Sequence, residues 1–98
     1  MKTITKQIGN GRQKVTYTEI VQTDDGTKLR VEVASDSYQR QCHARVQRWD
    51  GEQWRFVHGI HFSNMKTETG LCYSGNVTDE SFKADRDGLL QVAQAVLA

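Results

Sequence analysis

The stretch Val15-Thr16-Tyr17-Thr18-Glu19-Ile20-Val21-Gln22-Thr23-Asp24-Asp25-Gly26-Thr27-Lys28-Leu29-Arg30-Val31-Glu32-Val33 decides the fold. Its apolar residues recur at every second position, the period of a strand with one buried face. Val15, Tyr17, Glu19 and Val21 share one face of a strand over about Arg12 to Thr23. Leu29, Val31 and Val33 share one face of a second, over about Thr27 to Ser35, with Lys28, Arg30 and Glu32 on the other. Between them, Asp24-Asp25-Gly26 suits a three-residue hairpin loop, a type I turn closed by a left-handed residue that glycine supplies without steric cost. That loop sets Val21 opposite Leu29, Glu19 opposite Val31 and Tyr17 opposite Val33, so apolar meets apolar except at Glu19. A two-residue loop would set apolar side chains against polar ones.

The same period continues downstream. Asp36-Ser37-Tyr38 reads as a turn. A strand follows from about Gln41 to Trp49, with Cys42, Ala44 and Val46 on one face. Asp50-Gly51-Glu52 is the next turn, and a returning strand over about Gln53 to His61 places Trp54, Phe56, His58 and Ile60 on one face. A three-residue loop there predicts Val46 opposite Phe56 and Cys42 opposite Ile60. Ser63 to Gly70 reads as a loop, and Leu71-Cys72-Tyr73 as a short strand. Residues 2–8 form a further strand, joined to the sheet through Gly9-Asn10-Gly11. At the end the period changes: Leu89, Ala93, Val96 and Leu97, with Leu90 beside them, make one helical stripe. Asp85 is the expected N-cap, with Asp87 and Gly88 in the first turn. The reading is an α+β domain: an antiparallel sheet of four to six strands with one C-terminal helix packed on one face.

At 98 residues this is one domain, residues 1–98. A chain of this size buries about 60–65% of its unfolded surface, enough for one core but not for a deep enclosed substrate cavity as well. Function is therefore expected on a surface. The formal net charge is +1, which gives no global pull toward DNA or membranes. The charge is polarised, however: residues 1–18 carry Lys2, Lys6, Arg12 and Lys14 and no acid, whereas the C-terminal third is mildly acidic. No apolar run is long enough for a signal peptide or a membrane span. The two cysteines are accordingly expected as reduced thiols in a cytoplasmic setting.

Chemistry-bearing motifs are missing. There is no Gly-rich phosphate loop, nucleophile elbow or metalloprotease helix, and the turn carboxylates Asp24, Asp25, Asp36 and Asp50 suit turn chemistry. Cys42, His43, His58, His61 and Cys72 fit no zinc spacing, because His58 and His61, like Cys42 and His43, point to opposite faces of a strand. No catalytic, cofactor-binding or metal residue is assigned. The expected binding surface is the sheet face turned away from the helix. It carries His43, Arg45, Gln47 and Trp49 on one strand, Arg55, Val57 and His61 on its neighbour, and Lys28 and Arg30 on an earlier one, with Tyr38 nearby. Arg, Trp and Tyr dominate protein-binding hot spots. Basic groups beside an aromatic can also hold phosphates and stack a base, a reading that would add Lys2, Lys6, Arg12 and Lys14. A merely solvated face is the plain alternative.

The run Asp36-Ser37-Tyr38-x-x-Gln41-x-x-Ala44-x-Val46-x-x-Trp49, the later Trp54-Arg55-Phe56-Val57, and the ending Phe82-Lys83-Ala84-Asp85-Arg86-Asp87 with its apolar helix resemble small proteins of phages and bacterial mobile elements. The resemblance covers about half the chain. It implies an accessory factor that binds and blocks a host system, a role that anti-CRISPR proteins fill without any shared sequence pattern. The partner expected on that ground is a larger host protein or ribonucleoprotein complex in the bacterial cytoplasm, with Tyr38, His43, Arg45, Trp49 and Arg55 as contact residues. Nucleic acid is the alternative partner. No membrane is expected, and an exposed edge strand could pair two copies.

Overall fold

The computed structural model describes residues 1–11, 14–36, 41–63 and 78–98. They form β1 (Lys2–Asn10), β2 (Lys14–Gln22), β3 (Lys28–Asp36), β4 (Gln41–Trp49), β5 (Trp54–Ser63) and α1 (Asp79–Leu97). The strands make one antiparallel five-stranded sheet in the order β1-β2-β3-β4-β5, and α1 covers one of its faces. This is the expected α+β arrangement. Among the described residues, no helix is long and apolar enough to cross a membrane.

The central hairpin folds as its turn chemistry dictates. The Gly26 amide donates to the Thr23 carbonyl at 3.0 Å, closing a four-residue turn, and Gly26 sits at φ 90°. Asp25 accepts from the Thr23 hydroxyl and from the Thr27 amide, bonds that hold its carboxyl pKa down to about 2. Val21 therefore lies opposite Leu29, Glu19 opposite Val31 and Tyr17 opposite Val33. Leu29, Val31, Val33 and Val46 are fully buried beneath α1, where Phe82, Leu89 and Ala93 close the core. The Phe82 ring stacks on Tyr17 with centroids 5.3 Å apart. β1 extends through Gly9 and Asn10, past the expected end at residue 8, and the predicted strand over Leu71-Cys72-Tyr73 lies outside the described residues.

The helix starts earlier than the sequence suggests. Its N-cap is Thr78, not Asp85: the Ser81 amide donates to the Thr78 hydroxyl at 3.2 Å, and the Thr78 amide donates to the Ser81 hydroxyl at 2.9 Å. This reciprocal pair satisfies donors that a helix start leaves open, and Asp79 and Glu80 complement the positive end of the dipole. Asp85 is instead wholly buried on the inward stripe, and Gly88 lies in mid-helix. The buried stripe runs Phe82, Asp85, Leu89, Leu90 and Ala93, whereas Val96 and Leu97 are exposed.

Glu19, the one mismatch of the predicted register, is only 2% exposed. Its partner is Arg86 of α1, whose Nη1 lies 3.1 and 3.2 Å from the two carboxylate oxygens. The Thr3 hydroxyl donates to the same carboxylate at 3.2 Å. β1, β2 and α1 are thus joined through one buried charge. Removing one member of such a pair costs about 3–5 kcal/mol, because the other charge stays buried without compensation. Arg86→Met is expected to lose that much stability in urea unfolding, and Glu19→Gln added to it to recover part of the loss. A loss below about 1 kcal/mol for Arg86→Met would contradict the account.

Candidate binding face

The face of the sheet away from α1 is a grid set by the strand registers. One cross-strand row runs Ile20, Arg30, Gln47, Phe56. The next runs Thr18, Glu32, Arg45, Gly59, and a third Thr16, Ala34, His43. At the turn end, Trp49 lies opposite Trp54, and Lys2, Gln22 and Lys28 line up across β1, β2 and β3.

The register of β5 overturns part of the sequence expectation. Four residues, Asp50 to Gln53, separate the paired Trp49 and Trp54, where a three-residue loop was predicted. The reason is Asp50: its Oδ1 accepts the amides of both Glu52 and Gln53 at 2.8 Å, and its Oδ2 accepts from Arg55 Nε at 2.7 Å. The Arg55 bond, followed by the two amides, holds the Asp50 carboxyl pKa down to about 2. Further along, Gln47 faces Phe56 but Val46 faces His58, so Val57 is an extra residue in a β-bulge. The loop shifts the pairing by one and the bulge by one more. Between turn and bulge every side chain is therefore on the opposite face from the predicted one, and beyond the bulge the predicted faces return.

The consequences are specific. Trp54 and Phe56, expected beneath the helix, lie on the open face. Arg55, expected on the open face, pairs with Arg48, whose other neighbour is the wholly buried Leu29, so it belongs to the helix side. Val57, also expected on the open face, packs against the core. Val46 meets His58 rather than Phe56, and Cys42 meets Phe62 rather than Ile60. Trp49, Arg45 and His43 are on the open face as predicted. Tyr38, Arg12 and Cys72 lie outside the described residues.

What the open face presents is an aromatic cluster with a cation built into it. Trp49 and Trp54 meet edge to face, centroids 5.4 Å apart. The Arg30 guanidinium sits 4.7 Å from the Trp54 ring centroid and its Nε donates to Gln47 Oε1 at 2.9 Å. Phe56 is 67% exposed. The edge of its ring lies over Gly59: a Cβ there would stand 2.9 Å from the ring, 2.9 Å from the Ala44 carbonyl oxygen and 3.0 Å from Arg45 Cβ. Beside the cluster, Glu32 pairs with His43 Nε2 at 3.0 Å and Arg45 Nε at 3.2 Å. The His43 hydrogen bond leads the causes that lower the Glu32 pKa, so the carboxylate stays ionised at neutral pH.

Lys2 and Lys14 reach this face at opposite ends. Lys6 does not, since it pairs with Asp79 at 3.7 Å on the helix side. Among the described residues, no group of three His, Cys, Asp or Glu side chains could hold a metal ion.

Gly59 and Phe56 separate support from display. Gly59→Ala is expected to cost about 1–3 kcal/mol in urea unfolding, because the new methyl group meets the Ala44 carbonyl oxygen and Arg45 Cβ, which cannot swing away, as well as the Phe56 ring. Phe56→Ala is expected to cost less than about 1 kcal/mol despite the size of the ring. The opposite ranking would contradict the described packing.

Comparison with known proteins finds no family model, no curated protein and no solved structure that matches this chain.

Proposed function

We propose that this protein is a non-enzymatic binding domain that acts by laying the open face of its sheet on a larger protein and occupying that surface. The observation that carries the reading is Phe56, a large aromatic ring 67% exposed that lies over Gly59 on the same face as the edge-to-face Trp49–Trp54 pair and Arg30. Trp and Arg are the residue types that concentrate binding energy in protein interfaces. The molecule measures 39 × 23 × 23 Å, which leaves one face room for the about 800 Å² that each side of a standard interface buries.

Charge favours a protein over a nucleic acid as the occupant. Arg45 and His43 are matched by an ionised Glu32 in the middle of the face, and Arg55, on the other side, is matched by Asp50. A nucleic-acid strand across the rows would bring phosphates onto Glu32. The resemblance of the Asp36–Trp49 run and the C-terminal helix to small phage and mobile-element proteins supports a host-cell partner, a CRISPR-type defence complex among them, and inhibition by steric occupation.

The test is affinity capture of the tagged chain from nuclease-treated bacterial lysate, washed at high salt and read by mass spectrometry. A stoichiometric protein captured by the wild type and by Arg55→Gln, but lost with Phe56→Ala and Trp49→Ala, is the expected result. Capture that survives both aromatic replacements would refute the face. Recovery of nucleic acid alone, only at low salt and without nuclease, would refute the protein partner.

A further inference from the structure

The charges around the aromatic cluster carry the reading one step further, to the chemistry of the partner. Lys2, Lys28 and Arg30 come together at the turn end of the open face. Among the described residues, none of the three has an acidic partner: Gln47, which takes Arg30 Nε, is neutral, and Trp54 meets the guanidinium only with its ring. Gln47 Oε1 takes Nη2 of Arg30 as well as Nε, so the guanidinium offers its remaining N–H donors, on Nη1 and the outer side of Nη2, beside the Trp54 ring. The island is small. It ends at Glu32 in the next row and at Asp24, Asp25, Asp50 and Glu52 in the turns beyond. A field this narrow complements one or two carboxylates and not a run of phosphates, which would meet acids in either direction.

We propose that the open face recognises a protein segment carrying an Asp or Glu next to an aromatic or branched aliphatic side chain. The carboxylate sits on Arg30 and Lys28, in the forked geometry a guanidinium offers, and the apolar neighbour packs on Phe56 and Trp49. This rests on the protein-binding reading of the same face and adds the identity of the groups bound.

The probe is a display library of random linear twelve-residue peptides, panned on the full chain, with enriched peptides resynthesised and titrated against wild type and variants. Variants are first checked by circular dichroism and thermal melting, and the exposed Lys28→Gln stands in should Arg30→Gln fail to fold. The expected outcome is enrichment of peptides with Asp or Glu within two positions of an aromatic or branched aliphatic residue. Their affinity falls about tenfold with Arg30→Gln, with amidation of the peptide's acid, and with Phe56→Ala, and is unchanged with Arg55→Gln. Peptides lost with Phe56→Ala but indifferent to Arg30→Gln and Lys28→Gln overturn acid recognition while leaving the face intact. Peptides indifferent to Phe56→Ala and Trp49→Ala overturn the face itself. A labelled fifteen-nucleotide oligothymidine that binds more tightly than any peptide, with affinity falling steeply in salt, overturns the protein partner.

Discussion

A single additional residue in β5, Val57, together with the carboxylate of Asp50, determines what this protein shows to its surroundings. Strand side chains alternate, so any change of register by one inverts every face until a second change restores it. Asp50 lengthens its loop by capturing the amides of Glu52 and Gln53, and the bulge at Val57 adds a second shift of one, which restores the original faces. Only the segment between them is inverted, and that segment contains Trp54 and Phe56. Beyond the bulge the strand returns His58 to the helix side, opposite Val46. The fold keeps a core and gains an aromatic surface from the same strand.

The two faces of the sheet are held to different ends by different forces. On one, α1 completes the core and is fixed in place by the buried pair of Glu19 and Arg86, with Phe82 stacked on Tyr17. A charge pair contributes little net stability in such a place, but a helix sliding along the sheet would strand both charges, so the pair favours one docking position. Among the described residues, no helix covers the opposite face. On it Trp49 meets Trp54 edge to face, Arg30 lies over Trp54, and the Phe56 ring lies over Gly59, 67% exposed. At one edge of the sheet, β1 carries lysines and a register irregularity between Thr3 and Thr5.

The central hairpin was legible in the sequence because three signals agree there: the two-residue period, the Asp-Asp-Gly turn and the apolar register. Only the partner of Glu19 was hidden, since Arg86 comes from the far end of the chain and no local pattern connects them. The helix was legible in its second half. Asp85 imitates a cap, and the signal for the true start was Thr78 with Ser81 three residues later, ahead of Phe82 in the same stripe as Leu89. The β4–β5 hairpin shows where periodicity fails. Trp54, Phe56, His58 and Ile60 alternate without fault, and no pattern of that kind reveals an inserted Val57. Hence Trp49, Arg45 and His43 were placed correctly, whereas Arg55 was assigned to the wrong face and Phe56, the most exposed aromatic described, was assigned to the core.

The central claim is the proposal that a partner buries Phe56, which the described residues of its own chain leave 67% exposed. A photoreactive phenylalanine analogue at position 56, and at Lys83 on the exposed side of α1 for comparison, tests it in living bacterial cells. Irradiation is predicted to attach one protein to position 56 and none to position 83. Attachment from position 83 alone, or of nucleic acid at position 56, would contradict the account.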